Sequence, residues 1–255
     1  MSKYKVKQSG TFQYIDEGQG ETIVFLHGLF GALSNWDSVI DDFKSSHRVV
    51  IPLLPIYTIK LKEATVPGLT DYVEKFTSHL NLSHFHLVGN SLGGHIGLVY
   101  TLRNPEHIDK LVLTGSSGLF EDGMGGSFPR RGDYDFVRER VGYTFYDAGL
   151  ATKELVDTVF EVTNNNQKCL RMIAIARSAQ KHNMAKELDK IKSPTLLIWG
   201  LNDTITPPFV GHEFNRLISD SYLRFIDKCG HAPMMEHPVY FNKLCKEFLV
   251  TKELV

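Results

Sequence analysis

Short apolar runs alternate with longer amphipathic stretches along most of the chain. The runs are rich in Val, Ile and Leu, which is typical of buried strands, and they lie at residues 22–26, 48–51, 85–88, 110–114, 195–199 and 222–226. Between them, apolar residues recur every three or four positions, which predicts helices at residues 34–43, 69–80, 93–102 and 240–249. Thr70 is the expected N-cap of the second helix. The alternation predicts an α/β fold with a mainly parallel central sheet flanked by helices.

Two regions depart from this alternation. Residues 3–6 and 12–15 are too short and too close together for a crossover, so they predict an antiparallel hairpin at the sheet edge. Between about residues 118 and 190 no strand pattern is present, and helical patterns cover residues 133–140, 153–163 and 167–181. We therefore predict a core formed by residues 1–117 and 190–255, with a helical cap, residues 118–189, inserted after the sixth strand.

Composition and charge narrow the functional classes. The formal net charge of −1 over 255 residues argues against a dedicated nucleic-acid binder. No apolar run approaches the roughly 20 residues of a membrane span, and the three cysteines are few enough for a reducing compartment. We expect a cytoplasmic monomer or homodimer that acts on a small-molecule substrate, with neither nucleic acid nor membrane as a partner.

The strongest chemical signal is the sequence Gly89-Asn90-Ser91-Leu92-Gly93, which lies between a predicted strand and a predicted helix. This is the context of a nucleophile elbow, in which a sharp turn lifts the serine hydroxyl above the sheet edge. Glycines on both sides of the serine leave room for such a turn. The start of the following helix aims N–H groups at any negative charge that develops there. Ser91 is therefore the predicted nucleophile.

A serine nucleophile needs a base and an acid that orients the base. His231 follows the last predicted strand, and Asp203 follows the strand before it, so parallel strands bring both to the same edge as Ser91. Asp220 and Asp227 are weaker candidates for the acid. Among the other histidines, His27 is expected to order a loop and His95 to pack or face solvent. His84, His86 and His237 are expected in turns or strands.

From residue 27 onward the chain resembles the α/β-hydrolase superfamily. The matching motifs are His27-Gly-Leu-Phe-Gly31, the elbow, Gly200-Leu-Asn-Asp203 and Gly230-His231. The resemblance implies that the N–H groups of Leu92 and Leu29 form an oxyanion hole, with Phe30 as the alternative to Leu29. No residue set has metal-ligand spacing, and no glycine-rich loop has the context of a phosphate site. We expect neither a metal nor another cofactor.

Two departures from relatives affect the function. Residues 53–57 replace a glycine-rich loop. Meta-cleavage C–C hydrolases typically have a tryptophan soon after the catalytic histidine, where this chain has Ala232-Pro233-Met234-Met235. Asn90 and the pair Phe241-Asn242 nevertheless look like those C–C hydrolases, whose lid arginine has only Arg171 or Arg177 as a counterpart. A carboxylesterase-type serine hydrolase is the leading interpretation. A C–C hydrolase and a catalytically weak ligand-binding or sensing protein are the alternatives.

The substrate contacts are predicted mainly from aromatic residues in the cap. An apolar acyl pocket would use some of these, although most aromatic side chains in an insertion only pack it together. We expect contacts from Phe30, Asn90, Phe128, Tyr143 and Phe145. Arg130 and Arg131 would suit an acidic group on the substrate, or else form a solvated face.

Overall fold

The computed structural model describes residues 2–31, 33–120 and 130–250. Eight strands form one sheet in the order β1-β2-β4-β3-β5-β6-β7-β8. They are β1 (Lys7–Ser9), β2 (Phe12–Glu17), β3 (Thr22–Leu26), β4 (Arg48–Pro52), β5 (Phe85–Asn90), β6 (Ile108–Thr114), β7 (Thr195–Gly200) and β8 (Ser221–Ile226). β2 pairs with β1 and β4 in antiparallel fashion, and the other pairs are parallel. The mainly parallel sheet is as predicted.

The helices extend close to their predicted bounds. They are α1 (Asp37–Phe43), α2 (Val66–His79), α3 (Leu92–Arg103), α4 (Tyr134–Gly142), α5 (Lys153–Asn164), α6 (Asn166–Lys181), α7 (Pro208–Leu217), α8 (Pro233–Glu236) and α9 (Pro238–Val250). The sequence pattern did not show α7 or α8. Within the described ranges, none of these helices has the length and apolar character that crossing a bilayer requires.

Successive residues of each central strand point to opposite faces, and a layer of helices covers each face. Val24 and Leu26 of β3 pack with residues of α2, α3 and α7. Ile23 and Phe25 of the same strand pack with residues of α1 and α9. Because both faces are covered, the central strands are apolar throughout and not alternating. The two apolar layers hold the sheet rigid beneath the loops at the carboxyl ends of its strands.

The predicted first strand at residues 3–6 is wrong by about four residues. The strand is Lys7–Ser9, and it pairs with β2 across the two-residue turn Gly10-Thr11, with Ser9 opposite Phe12. A turn this short fixes the register, so the strand must end directly before it. The residues before it are drawn to α1 instead, where the Lys3 N–H donates to Asp37 at 3.2 Å.

Thr70 is also wrong as the N-cap of α2. The helix begins four residues earlier, and the Thr65 hydroxyl oxygen accepts a hydrogen bond from the Gly68 N–H at 3.1 Å. Pro67 fits the first turn because that position needs no N–H donor. Thr70 is fully buried inside the helix, where its hydroxyl donates to the Val66 carbonyl at 3.0 Å.

The described residues between β6 and β7 contain three α-helices, α4, α5 and α6, and no strand. This matches the predicted helical character of the insertion. Residues 130–181, which contain these three helices, are called the inserted segment below. The Ser178 hydroxyl of α6 accepts the Val66 N–H at 3.1 Å, which ties this segment to the start of α2. The division into core and cap at residues 118 and 189 stays a prediction.

Thr65→Ala is expected to destabilise the protein by about 1 kcal/mol, because the Gly68 N–H loses its acceptor at the start of α2. Urea unfolding followed by circular dichroism measures this loss. Thr158→Ala is the matched control: Thr158 is exposed within α5 and bonds only a carbonyl of its own helix. That change should stay within about 0.5 kcal/mol of wild type. Equal stabilities for the two variants would contradict the assignment of Thr65 as the cap.

Candidate active site

Ser91 lies in a strained turn between β5 and α3. Its backbone has φ 55° and ψ −120°, a combination that non-glycine residues rarely adopt. The turn is forced by close packing of α3 on the sheet: a side chain at Gly93 would place its Cβ 2.1 Å from the Leu26 carbonyl oxygen of β3. Only glycine at position 93 permits this approach. The geometry is that of the elbow that the sequence predicts.

The main chain of Ser91 is held from three directions. Its N–H donates to the Thr114 carbonyl at the end of β6, at 3.1 Å. Its carbonyl accepts the N–H groups of His95 in α3, at 3.1 Å, and of Ser117 after β6, at 3.3 Å. These hydrogen bonds and the packing around Gly93 over-determine the turn, which is how a strained backbone persists in a folded protein.

Asp203 and His231 form a buried hydrogen-bonded pair. Nδ1 of His231 lies 2.8 Å from Oδ2 of Asp203, and the two residues follow β7 and β8. Oδ1 of Asp203 accepts the N–H groups of Ile205 and Thr206, at 2.8 and 2.9 Å. The carboxylate accepts hydrogen bonds from this side, so the proton between the two residues is assigned to Nδ1 of His231. The predicted role of His231 as a base then belongs to Nε2.

Thr206 belongs to this arrangement although the sequence analysis did not single it out. Its hydroxyl donates to Oδ2 of Asp203 at 2.8 Å and lies 3.3 Å from Nδ1 of His231. A signal for it was available, because aspartate side chains often accept N–H groups two and three residues later. This tendency places Thr206 next to the Asp203 carboxylate. The turn at residues 203–206 therefore holds the carboxylate with contacts that do not involve His231.

His27 orders the loop that faces the elbow, as the sequence predicts. The Leu54 N–H donates to its Nε2 at 3.1 Å, so the proton is on Nδ1, which donates to the Gly28 carbonyl at 2.9 Å. Burial lowers the pKa of His27 to about 4, so the ring is neutral at ordinary pH. The Tyr57 hydroxyl donates to the Leu29 carbonyl at 3.0 Å. The apolar loop that replaces the glycine-rich one thus supports this side of the site.

The predicted oxyanion donors lie on two sides of Ser91. Leu92 is the first residue of α3, so its N–H has no partner within the helix. Leu29 belongs to the loop after β3, where a side chain at Gly28 would come within 3.2 Å of Ser91 Cβ. Leu29, Phe30 and Leu92 all line the same cavity as Ser91. The role of these N–H groups in binding an oxyanion stays a prediction.

Ser91 and His231 share the floor of a cavity of about 460 Å³ between the sheet edge and the inserted segment. Its apolar walls come mainly from that segment and include Val141, Phe145, Leu155, Val159, Cys169, Met172 and Ile173. Phe30 and Phe145, two of the predicted substrate contacts, are on these walls. Asp203 lies behind His231, with 3% of its surface exposed. The cavity is in the range of small-molecule sites.

The other predicted substrate contacts have different outcomes. Tyr143 is wrong: it is 48% exposed, its hydroxyl donates to Glu139, and it does not line the described cavity. It lies just past the end of α4, on the helix's solvent face, where the Arg140 guanidinium covers its ring. Phe128 lies outside the described residues. Asn90 lines the cavity, but its amide nitrogen donates to the carbonyls of Thr114 and His231, both at 3.1 Å.

Three arginines of the inserted segment line the cavity, and no Asp or Glu is among its described lining residues. They are Arg131, Arg140 and Arg177. Arg171, the other suggested lid arginine, is directed elsewhere and donates to the Ile59 and Gln167 carbonyls at 2.6 and 2.8 Å. Arg130 is exposed and pairs with Asp133. The cavity is therefore mostly apolar, with positive charge at its margin.

Among the described residues that line the cavity, His231 is the only histidine. His95 is fully buried, its Nε2 lies 3.0 Å from Nδ1 of His182, and burial lowers its pKa to about 3. Across residues 2–31, 33–120 and 130–250, no group of three His, Cys, Asp or Glu side chains is arranged to hold a metal ion.

A comparison with protein families finds a match over residues 21–140 and 157–238 to the alpha/beta hydrolase fold. The chain belongs to the alpha/beta hydrolase family. The first matched range includes Ser91 and the loop with Leu29 and Phe30, and the second includes Asp203 and His231. The fold prediction is confirmed, and hydrolase is the activity that family and relatives share.

Curated relatives of this alpha/beta hydrolase include C–C bond hydrolases. A 2-hydroxy-6-oxononadienedioate/2-hydroxy-6-oxononatrienedioate hydrolase of Pseudomonas putida is 28% identical over 92% of this chain and 90% of its own. A 2-hydroxy-6-oxo-6-phenylhexa-2,4-dienoate hydrolase of Burkholderia cepacia is 29% identical over 92% of this chain and 89% of its own. The substrates in these names are those of the relatives.

Solved structures share the whole fold. MGS-MChE2, an alpha/beta hydrolase enzyme from a sediment metagenome of the Mar Chica lagoon in Morocco, is 42% identical. It covers 96% of this chain and 98% of its own, with a TM-score of 0.80. The meta-cleavage product hydrolase CumD of Pseudomonas fluorescens IP01 is 23% identical, covers 94% of each chain and has a TM-score of 0.81. At 23% identity, the similarity to CumD shows a shared fold.

Asp203→Asn is expected to lower kcat by about 10⁴-fold, the size of this change in other triads. The amide oxygen would keep the N–H groups of Ile205 and Thr206, which turns the NH₂ toward His231. The histidine proton must then move to Nε2, where it blocks proton acceptance. Steady-state ester hydrolysis measures the loss, with Asp227→Asn, an exposed residue after β8, as the control. Equal activity in both variants would show that Asp203 has no role in catalysis.

Proposed function

We propose that this hydrolase cleaves an ester-like acyl bond of a small, partly apolar substrate through an acyl-enzyme on Ser91. The observation that carries the proposal is that Ser91, in its strained turn, lines the same cavity as His231, whose ring is bonded to the buried Asp203. A buried, fully hydrogen-bonded carboxylate behind a histidine serves little structural purpose there. It has a clear chemical one, since it fixes the tautomer that a base requires.

The reaction proceeds in two halves. Nε2 of His231 takes the Ser91 proton as the hydroxyl oxygen attacks the carbonyl carbon, and the tetrahedral oxyanion is stabilised by the Leu29 and Leu92 N–H groups. His231 then gives the proton to the departing alcohol, which leaves an acyl-enzyme. Water attacks that ester with His231 again as base, and Ser91 regains its proton. Asp203 accepts the Nδ1–H of His231 throughout and stabilises the imidazolium.

The cavity walls favour an apolar acyl or alcohol group. Valine, leucine, isoleucine and methionine side chains of the inserted segment gain from removing such a group from water, at about 25 cal/mol for each Å² buried. Phe30, from the loop after β3, and Phe145, from the inserted segment, also line the cavity. A substrate with a short aliphatic or aromatic acyl group suits this cavity better than a strongly polar one.

A second candidate is hydrolysis of a C–C bond in an acidic dienol ketone. It is supported by the names of the curated relatives and by Arg131, Arg140 and Arg177 at a cavity without described acidic residues. Positive charge of that kind would attract a carboxylate on the substrate. Against it stands the sequence Ala232-Pro233-Met234-Met235 after His231, which lacks the tryptophan that the resemblance to C–C hydrolases leads us to expect there. The apolar walls and this departure make ester cleavage the first proposal.

Ser91→Ala is expected to abolish turnover of p-nitrophenyl acetate while leaving the unfolding transition near that of wild type, because the change removes only the attacking oxygen. Loss of a triad member in other enzymes lowers kcat by about 10⁶-fold. Ser219→Ala is the control, since Ser219 is an exposed serine between α7 and β8, away from the cavity. Turnover retained in Ser91→Ala would exclude this nucleophile.

The two candidate functions are separated by a substrate comparison. We expect kcat/KM for p-nitrophenyl butyrate to exceed that for 2-hydroxy-6-oxo-6-phenylhexa-2,4-dienoate by at least about 10-fold, which corresponds to about 1.4 kcal/mol of transition-state binding. Absorbance at the wavelengths of nitrophenolate and of the dienolate follows each reaction. The reverse ranking would replace ester cleavage with C–C hydrolysis as the function.

A further inference from the structure

The carboxylate of Glu236 connects two separate parts of the site. Glu236 ends the short helix α8, five residues after His231. Its Oε1 accepts the N–H of Gly230, the residue before the catalytic histidine, at 2.7 Å. Its Oε2 accepts the N–H of Tyr146, in the inserted segment, also at 2.7 Å. One side chain therefore bonds the main chain of both the histidine loop and the segment that walls the cavity.

A direct backbone contact lies beside this bridge. The His231 N–H donates to the Thr144 carbonyl at 2.8 Å. The two backbones approach so closely that a side chain at Gly230 would place its Cβ 2.7 Å from the Thr144 oxygen and 3.0 Å from the Tyr146 nitrogen. The backbone of the histidine loop thus packs directly against the backbone of residues 144–146 at Gly230.

The acid loop is tied to the same stretch of the inserted segment. The Thr204 hydroxyl, next to Asp203, donates to the Tyr143 carbonyl at 3.2 Å. Residues 143–146 therefore bond the loops that carry both Asp203 and His231. Thr144 and Phe145 from this stretch also line the cavity. Residues 143–146, which include two cavity-lining residues, are therefore hydrogen-bonded to the loops of Asp203 and His231.

We propose that Glu236 is a positioning residue for His231, and that its carboxylate locks the histidine loop to the inserted segment so that the imidazole is aligned for Ser91. The inference rests on the proposed function of the triad. A carboxylate suits the task because it has two acceptor oxygens and no donor, so it satisfies two N–H groups at once. Such hydrogen bonds to an ionised acceptor are the stronger kind.

The test is Glu236→Gln, which keeps the shape but offers only one acceptor oxygen, so one of the two N–H groups faces an NH₂ group. With p-nitrophenyl acetate, kcat is expected to fall about 10- to 100-fold, as a base misplaced by a fraction of an ångström would cause. KM is expected to change by less than 3-fold, because the cavity walls remain. Glu213→Gln, in an exposed ion pair with Arg216, is the matched control.

A second readout distinguishes positioning from general destabilisation. The downfield proton NMR signal of the His231 Nδ1–H bonded to Asp203 should shift or broaden in Glu236→Gln and stay unchanged in Glu213→Gln. A kcat within 2-fold of wild type, or a loss of kcat with this signal unchanged, would overturn the proposal. The NMR signal does not depend on turnover. Wild-type protein with the signal but without ester hydrolysis would therefore count against the proposed function alone.

Glu236→Asp covers the case in which the glutamine variant does not fold. It keeps the charge but is shorter by one methylene, so it cannot reach the Gly230 and Tyr146 N–H groups together. We expect a kcat between those of wild type and the glutamine variant, again with KM nearly unchanged. Wild-type kcat in Glu236→Asp would show that the double contact does not align His231.

Discussion

The close approach of α3 to β3 is the constraint on which the site depends. At Gly93 the helix backbone comes so near to the Leu26 carbonyl that no side chain fits between them. The chain must then turn sharply at Ser91, which takes up a positive φ that a serine would not choose by itself. The apolar layers on both sides of the sheet supply the cohesion that holds this strain. The hydroxyl is raised toward the cavity as a result.

The rest of the site follows from parallel strand order. β5, β7 and β8 run in the same direction, so the loops that carry Ser91, Asp203 and His231 emerge at one edge. Burying an ionised Asp203 there would be costly if its oxygens were unpaired. The turn at residues 203–206 meets that cost with two N–H groups and the Thr206 hydroxyl. The inserted segment then closes the cavity and bonds to the same loops.

Sequence patterns predict what local chemistry decides. The strands, the elbow and the order of Ser91, Asp203 and His231 depend on neighbouring residues and on strand direction, so one sequence was enough for them. The prediction that Tyr143 contacts the substrate was wrong. Whether an aromatic residue beside an amphipathic helix packs or faces solvent depends on contacts with residues far away in the chain. Thr65 and Thr70 both precede apolar positions, and only Pro67 distinguishes them. The two contacts of Glu236 join residues 90 positions apart, which no local pattern records.

The central claim is that Ser91 is a poised nucleophile, and covalent labelling tests it most directly. Folded protein is treated with a fluorophosphonate, digested, and analysed by peptide mass spectrometry. The account predicts one adduct for each chain, on the peptide that contains Ser91, because the elbow presents an activated hydroxyl at an open cavity. Absence of an adduct in folded protein, or an adduct on another residue such as Ser117, would contradict it.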